Sequence, residues 1–346
     1  MENQLKKYDQ VQVEIFNDIK NKIGNNVSLV ESVADLLDLS SDAAYRRIRG
    51  AKELGINELL TLCTHFNISL DNIMSLSNDH VMFRYKSLDF SKIEDYFSYM
   101  EDLASTFKSM SQAENKEVVF AANDIPIFHF LQFKELAIFK IFAWINSIED
   151  NGTVLKFSDF MNSVASEGLY DCYNRIATGY QSIPSTEIWT VKTIDPIISL
   201  IEFYTEAGYF ETFEMPLKLC KQLLELIDMI KNWCATQQKN QHENGEFKLY
   251  LSDVELENSF VLFTEDEQKS CLVKLYTINS LQTKHGAFIN ETERWIKSAI
   301  NKSLLLTGAS QKERHKFFNQ QECKVNSLIN RIKKLEIELR QEKICH

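Results

Sequence analysis

Apolar residues Val11, Ile15, Phe16, Ile19 and Ile23 recur at steps of three and four, which predicts an amphipathic helix over residues 9–23. Over residues 28–73 the same period breaks into short segments. Leu29, Val33, Leu36 and Leu37, with the small Ala34 among them, mark one short helix; Asp38, Leu39 and Ser40 interrupt it; a second runs from Ser41 to Arg49 and stops at Gly50. Ser40 is placed to cap the second helix and Gly50 to end it in a left-handed conformation. Two short helices joined by a turn of three or four residues make a helix-turn-helix.

Further along, Tyr96, Met100, Leu103 and Phe107 predict a helix over 93–110, and Val118, Val119, Phe120 and Ala121 a short strand. Residues 128–145 read as one helix, apolar almost all round with only Lys134, Glu135 and Lys140 charged, the pattern of a buried domain centre. His129 within it reads as a core histidine, because no cluster of partner groups accompanies it. Residues 157–235 stay helical in pattern, with Gly208 as a stop, Pro216 near a start, and Leu217, Leu219, Leu223, Leu224, Ile227 and Ile230 as an apolar face. No fixed period supports a tetratricopeptide array.

After a polar stretch at 237–245 the texture changes to strands: Phe247–Leu251, then 260–264 and 271–278, the last two joined by a turn at 265–269. A helix over 290–303 follows, and Ser310 with Glu313 has the form of a capping box opening a long last helix. In that helix Phe318, Gln321, Val325, Leu328, Ile332, Leu335 and Leu339 follow a heptad. Val325, Leu328, Ile332, Leu335 and Leu339 are the candidate dimerisation residues, with Arg331 and Glu336 meeting across a parallel pair. The alternative, of equal weight, is that the stripe packs on its own domain.

The second short helix sorts its side chains by chemistry. Ser41, Asp42, Tyr45, Arg46 and Arg49 share one broad face, while Ala43, Ala44 and Ile48 fall on the other. With Lys52 just beyond, these six are the candidate DNA-binding residues: arginine bonds guanine bidentately, and polar groups at a helix end hold phosphates. The plain alternative is a solvated basic face. Arg47 projects to the flank, where the expectation is a packed stem and a head paired with an acid such as Glu31 or Asp35.

At this point the residues resemble a known family. Val33, Ala34, Asp35, Leu36 and Leu37 look like the first motif helix of lambda-repressor-like (Cro-like, XRE-type) DNA-binding domains; Leu39 and Ser40 resemble the turn, and Arg49 with Gly50 the end of the recognition helix. The runs GINELL at 55–60 and FNISLD at 66–71 resemble the fourth and fifth helices. The likeness covers roughly the first fifth of the chain. Asp38 stands where glycine is usual, Arg47 and Ile48 replace an aromatic–glutamate pair, and the common DNA-contacting glutamines are absent. The resemblance implies a five-helix amino-terminal domain over 1–76; with the patterns read above, a helical domain over 80–240 and an α+β region over 246–346 with a small antiparallel sheet and a terminal long helix, the expected fold is mostly α.

Charge narrows the functional classes. The 346-residue chain has a formal net charge of −11 and a pI near 5.3, which argues against a broad nucleic-acid coat. Even residues 1–80 carry twelve acids and eight bases, net −4. DNA affinity would rest on Arg46, Arg47, Arg49 and Lys52, so two copies would have to act together. Seven cysteines are scattered singly, without a CxxC pair, as expected for reduced thiols in a cytoplasmic protein. No signal peptide or membrane span is read in the chain, and no cofactor, metal or catalytic motif, so an enzyme is not expected. The leading expectation is a sequence-specific, homodimeric transcriptional regulator that binds double-stranded DNA, its carboxy-terminal region taking a signal from a small-molecule or protein effector. The alternative is a helical protein-interaction scaffold using the helix-turn-helix as a docking module.

Overall fold

Glycine and proline are scarce, and most segments settle into helices wherever an apolar face can be buried. The computed structural model describes residues 2–23, 28–66, 68, 80–88, 93–148, 155–239, 245–275 and 278–344. The chain divides into two units, Met1–Met82 and Phe83–His346. Among the described residues no helix is long and apolar enough to cross a membrane.

The first unit contains α1 (Glu2–Ile23), α2 (Leu29–Leu37), α3 (Ser41–Ile48) and α4 (Ile56–His65). Its core is Ile15, Phe16 and Ile19 from α1, Val33 and Ala34 from α2, Ala44 from α3, Leu62 and Cys63 from α4, and Ile68. Ser28 and Ser40 cap α2 and α3, each hydroxyl accepting an amide N–H three residues on, from Glu31 and Ala43. The expected fifth helix falls largely on residues outside those described.

The second unit is built on one sheet. Its elements are β1 (Arg84–Tyr85), α5 (Ile93–Gln112), β2 (Lys116–Ala122), α6 (Ile127–Phe130), α7 (Lys134–Ile148), α8 (Phe157–Val164), α9 (Glu167–Gln181), β3 (Ser185–Trp189), α10 (Asp195–Glu206), α11 (Glu214–Thr236), β4 (Phe247–Leu251), β5 (Phe260–Glu265), β6 (Gln268–Lys274), β7 (Ser280–Thr283), α12 (Gly286–Asn301), β8 (Leu304–Leu305) and α13 (Gln311–Ile344). The strand order is β1-β7-β6-β5-β2-β3-β4-β8. β2, β3 and β4 run parallel, and every other pairing is antiparallel.

The sheet is therefore mixed and eight-stranded, not the small antiparallel sheet expected near the carboxyl terminus. Residue 240 is also no boundary within this unit, because β2 and β3 pair with β5 and β4 across it. The strand that overturns the expectation is β3, whose sequence STEIW lies inside a stretch that reads as helical. All five of its residues are buried, as in a central parallel strand, so it lacks the alternation that marks a half-wet strand.

Period two does appear in how the sheet divides its two cores. Val118, Phe120 and Ala122 join the large core with Trp189, Val261 and Phe263. Ala121, Ile188, Leu262 and Cys271 point the other way and meet Ile289 and Ile296 of α12. On the large-core side α9 lies close to α5: a Cβ on Gly179 would stand 2.8 Å from the Cβ of Phe107. The single helix expected over 128–145 is two, α6 and α7. Gln222 of α11 accepts the Leu136 N–H at 2.9 Å, satisfying one of the amides that a helix start leaves open.

His129 is a core histidine. It is fully buried, with Nε2 2.8 Å from Glu187 Oε1 on β3. The same carboxylate accepts from the Tyr180 hydroxyl and, through Oε2, from Trp189 Nε1 at 2.7 Å. Lys239 is also buried, donating to the carbonyls of Tyr180 and Ile183 and to Ser185 Oγ at 2.7, 2.5 and 2.8 Å. Burial pushes the Lys239 ammonium well below the usual lysine range.

The heptad of α13 is used at home. Phe318, Val325, Leu328 and Ile332 lie in the large core, and α13 packs along α11 and α10. Arg331 pairs with Glu202 of α10 and Glu336 with Arg340, so the expected Arg331–Glu336 cross-pair is replaced by contacts within the chain. Val325, Leu328 and Ile332 are thus core residues, correcting their assignment as dimerisation residues. Leu335 is half-buried and Leu339 exposed.

Candidate nucleic-acid interface

α2 and α3 are joined by a tight left-handed turn. Asp38 takes φ 52° and ψ 53°, and the Leu39 N–H closes onto Ala34 O at 2.9 Å. Aspartate enters this region more readily than most non-glycine residues, which is why the turn tolerates it where glycine is common. Gly50 at φ 76° ends the segment after α3, its N–H donating to Arg47 O at 3.0 Å.

α3 has one buried side and one open side. Ala44 is fully buried, and Ala43 and Ile48 are half-buried. Ser41, Asp42, Tyr45, Arg46, Arg49 and Lys52 are all exposed. The Arg49 guanidinium carbon lies 5.6 Å from the centre of the Tyr45 ring, a cation–π contact that limits where this arginine can reach.

Arg47 is turned inward, but towards a different acid from those expected. Its Nε and Nη2 donate to Glu58 Oε2 and Oε1 at 3.0 and 2.7 Å, and Nη1 donates to Ala43 O at 3.1 Å. Glu58 lies on α4, whereas Glu31 and Asp35 lie on α2. Glu58 Oε2 also accepts the Gly55 N–H at 3.0 Å, so one carboxylate fastens α3 and starts α4. The hydrogen bonds from Arg47 hold the Glu58 carboxyl below the usual carboxylate range and outweigh the effect of burial. The expected four-residue basic cluster is accordingly three exposed cations, Arg46, Arg49 and Lys52.

Gln12 of α1 also shapes this face without having been singled out in the sequence. Its Nε2 donates to Arg47 O at 2.7 Å and Lys52 O at 2.8 Å, and its Oε1 accepts the Leu54 N–H at 3.0 Å. One amide thereby ties down the link between α3 and α4. Gln12 carries no periodic signal, since it acts on a segment far from it in sequence, and the local role of Glu58 at the start of α4 does not reveal its bond to Arg47. The face can offer two guanidinium groups, an ammonium, a phenol and the hydroxyl of Ser41 to a polyanion. No protein-family model, no curated protein and no solved structure matches the chain.

Proposed function

We propose that the protein is a sequence-specific DNA-binding transcriptional regulator of the lambda-repressor-like kind. In this reading α3 enters the major groove, and the second unit serves dimerisation and signal input. The observation that carries it is the sorting of α3: Ser41, Asp42, Tyr45, Arg46 and Arg49 face solvent while Arg47 is locked inward on Glu58. A helix held from behind at fixed register, with unspent arginines in front, suits base reading. Three exposed cations neutralise few phosphates, and the chain as a whole is acidic, so two copies on a two-fold axis are part of the proposal.

The test is selection of DNA from a random pool by the full-length chain at physiological salt, followed by sequencing. Enrichment of a near-palindromic site, lost with Arg46→Ala and Arg49→Ala, supports the reading; no enrichment overturns it. A second reading, the helix-turn-helix as a protein-docking module, is favoured by Ile56 and Leu60, which are 77% and 52% exposed one turn apart on α4. It predicts that Leu60→Asp abolishes partner capture while leaving any DNA retention unchanged.

A further inference from the structure

β2 is the strand at which the sheet changes direction, with β3 parallel on one side and β5 antiparallel on the other. Beyond its carboxyl end, a cleft of about 520 Å³ is lined by residues of α7, α10, the β6 end and the chain entering β5. Sheets of this kind collect ligands at the carboxyl ends of their parallel strands, beside such a switch.

Among the described residues, the charged groups lining the cleft are Asp124, Lys140 and Lys274. Asp124 Oδ2 accepts from Lys140 Nζ at 2.7 Å and from Lys274 Nζ at 3.0 Å. Asp124 is 8% exposed and Lys140 only 2%. Burying an ammonium this far costs several kcal/mol unless it is paired, yet two lysines share one carboxylate. The described groups of the cleft therefore carry a surplus of one positive charge, in a chain whose net charge is −11. Burial lowers the Lys140 pKa and Asp124 opposes that; burial would raise Asp124, but the two ammonium groups outweigh it and keep it below the usual carboxylate range. Asp124 Oδ1 is buried without a hydrogen-bond partner, an unmet acceptor of the kind native interiors rarely keep.

Against the cleft, and sharing Lys140, Trp144 and Lys274 with it, lies an apolar slot of about 70 Å³. Phe120, Phe128, Val261, Phe263, Leu272 and Ile278 are among its walls, and among the described residues its only charged lining groups are the two shared lysines. A structural ion triad would need neither the slot nor the surplus charge.

We propose that cleft and slot together bind a small organic monoanion: a carboxylate, set on Lys274 and Lys140, carried by a short branched aliphatic body whose end enters the slot. One negative charge balances the site, whereas a phosphate dianion would leave it overcharged. A hydroxyl or N–H beside the carboxylate donates to Asp124 Oδ1, which makes 2-hydroxy and N-acylamino acids better ligands than plain acids.

The inference is independent of DNA binding, and so is its test. Calorimetric titration of the full-length chain uses isovalerate, 2-hydroxyisovalerate and neutral isovaleramide. Isovalerate binds saturably, 2-hydroxyisovalerate binds more tightly, and the amide binds about tenfold or more weakly, the ratio set by one charge-assisted hydrogen bond. Lys274→Met, at a side chain 26% exposed, brings acid and amide to similar affinity, and Lys274→Arg keeps the difference. Leu103→Trp, which fills the slot from α5, weakens both, with thermal melting to show that each variant is folded. Absence of saturable binding by either acid up to ~10 mM, where affinity is under about 3 kcal/mol, would overturn the proposal. So would Lys274→Met protein that binds isovalerate as tightly as the parent. With no DNA present, failure here leaves the regulator reading standing, and failure of DNA selection leaves this site standing.

Discussion

Arg47 and Glu58 face each other between α3 and α4 as a two-pronged pair, Nη2 to Oε1 at 2.7 Å and Nε to Oε2 at 3.0 Å, with the arginine side chain 11% exposed. The planar fork of a guanidinium matches a carboxylate in only one orientation, so the pair sets the rotation of α3 as well as its distance from α4. Arg46 and Arg49 are thereby directed outward. The pair connects a fold contact to the face that would meet DNA.

Removing one member of this pair leaves the other without its partner in a half-buried site. Arg47→Ala is expected to cost about 1–3 kcal/mol, more than Arg46→Ala, whose side chain is exposed. Thermal melting of the two variants checks this, and a double-mutant cycle with Glu58→Ala should show the two losses to be strongly non-additive. Equal melting temperatures for Arg47→Ala and Arg46→Ala would mean that the pair does not set the position of α3.

The open face behaves in the opposite way. Arg46→Ala and Arg49→Ala are expected to leave the melting temperature within experimental scatter while each lowers affinity for a selected operator by about 1–3 kcal/mol. Lys52→Ala, further from the helix, should weaken binding evenly across sequences and flatten the salt dependence. Binding isotherms at two salt concentrations separate the two kinds of contact.

Acid should unfold the second unit partly through Glu187. Burial raises its pKa, but His129 and the hydrogen bonds from Tyr180 and Trp189 outweigh this and hold it below the ordinary carboxylate range. A carboxylate with a lower pKa folded than unfolded contributes stability that is complete above the unfolded value, ordinarily near 4.5. That stability is lost as pH falls through the folded one. Glu187→Gln should therefore be less stable than the parent at neutral pH, with the gap closing on acidification. Denaturant melts across the acid range measure the gap; a difference constant with pH would show that the charge is not what the network uses.

The last helix separates core from surface along its length. Ile332→Asp places a charge in the large core and should unfold the second unit, whereas Leu339→Asp, at a position 40% exposed, should leave its stability unchanged. If the end of α13 forms the two-fold contact, Leu339→Asp also lowers self-association in sedimentation. A Leu339→Asp chain that associates like the parent places the dimer contact elsewhere.

Helices whose period could be counted along the sequence were legible: α1 through Ile15 and Ile19, α3 through its serine cap and Gly50, α11 through Leu219, Leu223 and Ile230. In each the burial face is written every three or four residues, and the caps are local. The outward set on α3 was legible for the same reason. β4 was legible through the alternation of Phe247, Leu249 and Leu251. β3 was not, because a strand covered on both faces shows no alternation, and its glutamate is made tolerable by His129, Tyr180 and Trp189, which arrive from three other segments.

The sequence by itself determined the short helices and turn of the first unit and which side chains of α3 share a face, set by caps within a few residues and by helical geometry. Only the tertiary structure decided that Arg47 meets Glu58, that the α13 stripe is spent on α10 and α11, and that Asp124, Lys140 and Lys274 share one cleft. Those partners lie between 11 and 150 residues apart. Hydrophobic and charge patterns state that a side chain needs a partner; the identity of the partner follows from which surfaces the packed sheet and helices bring together.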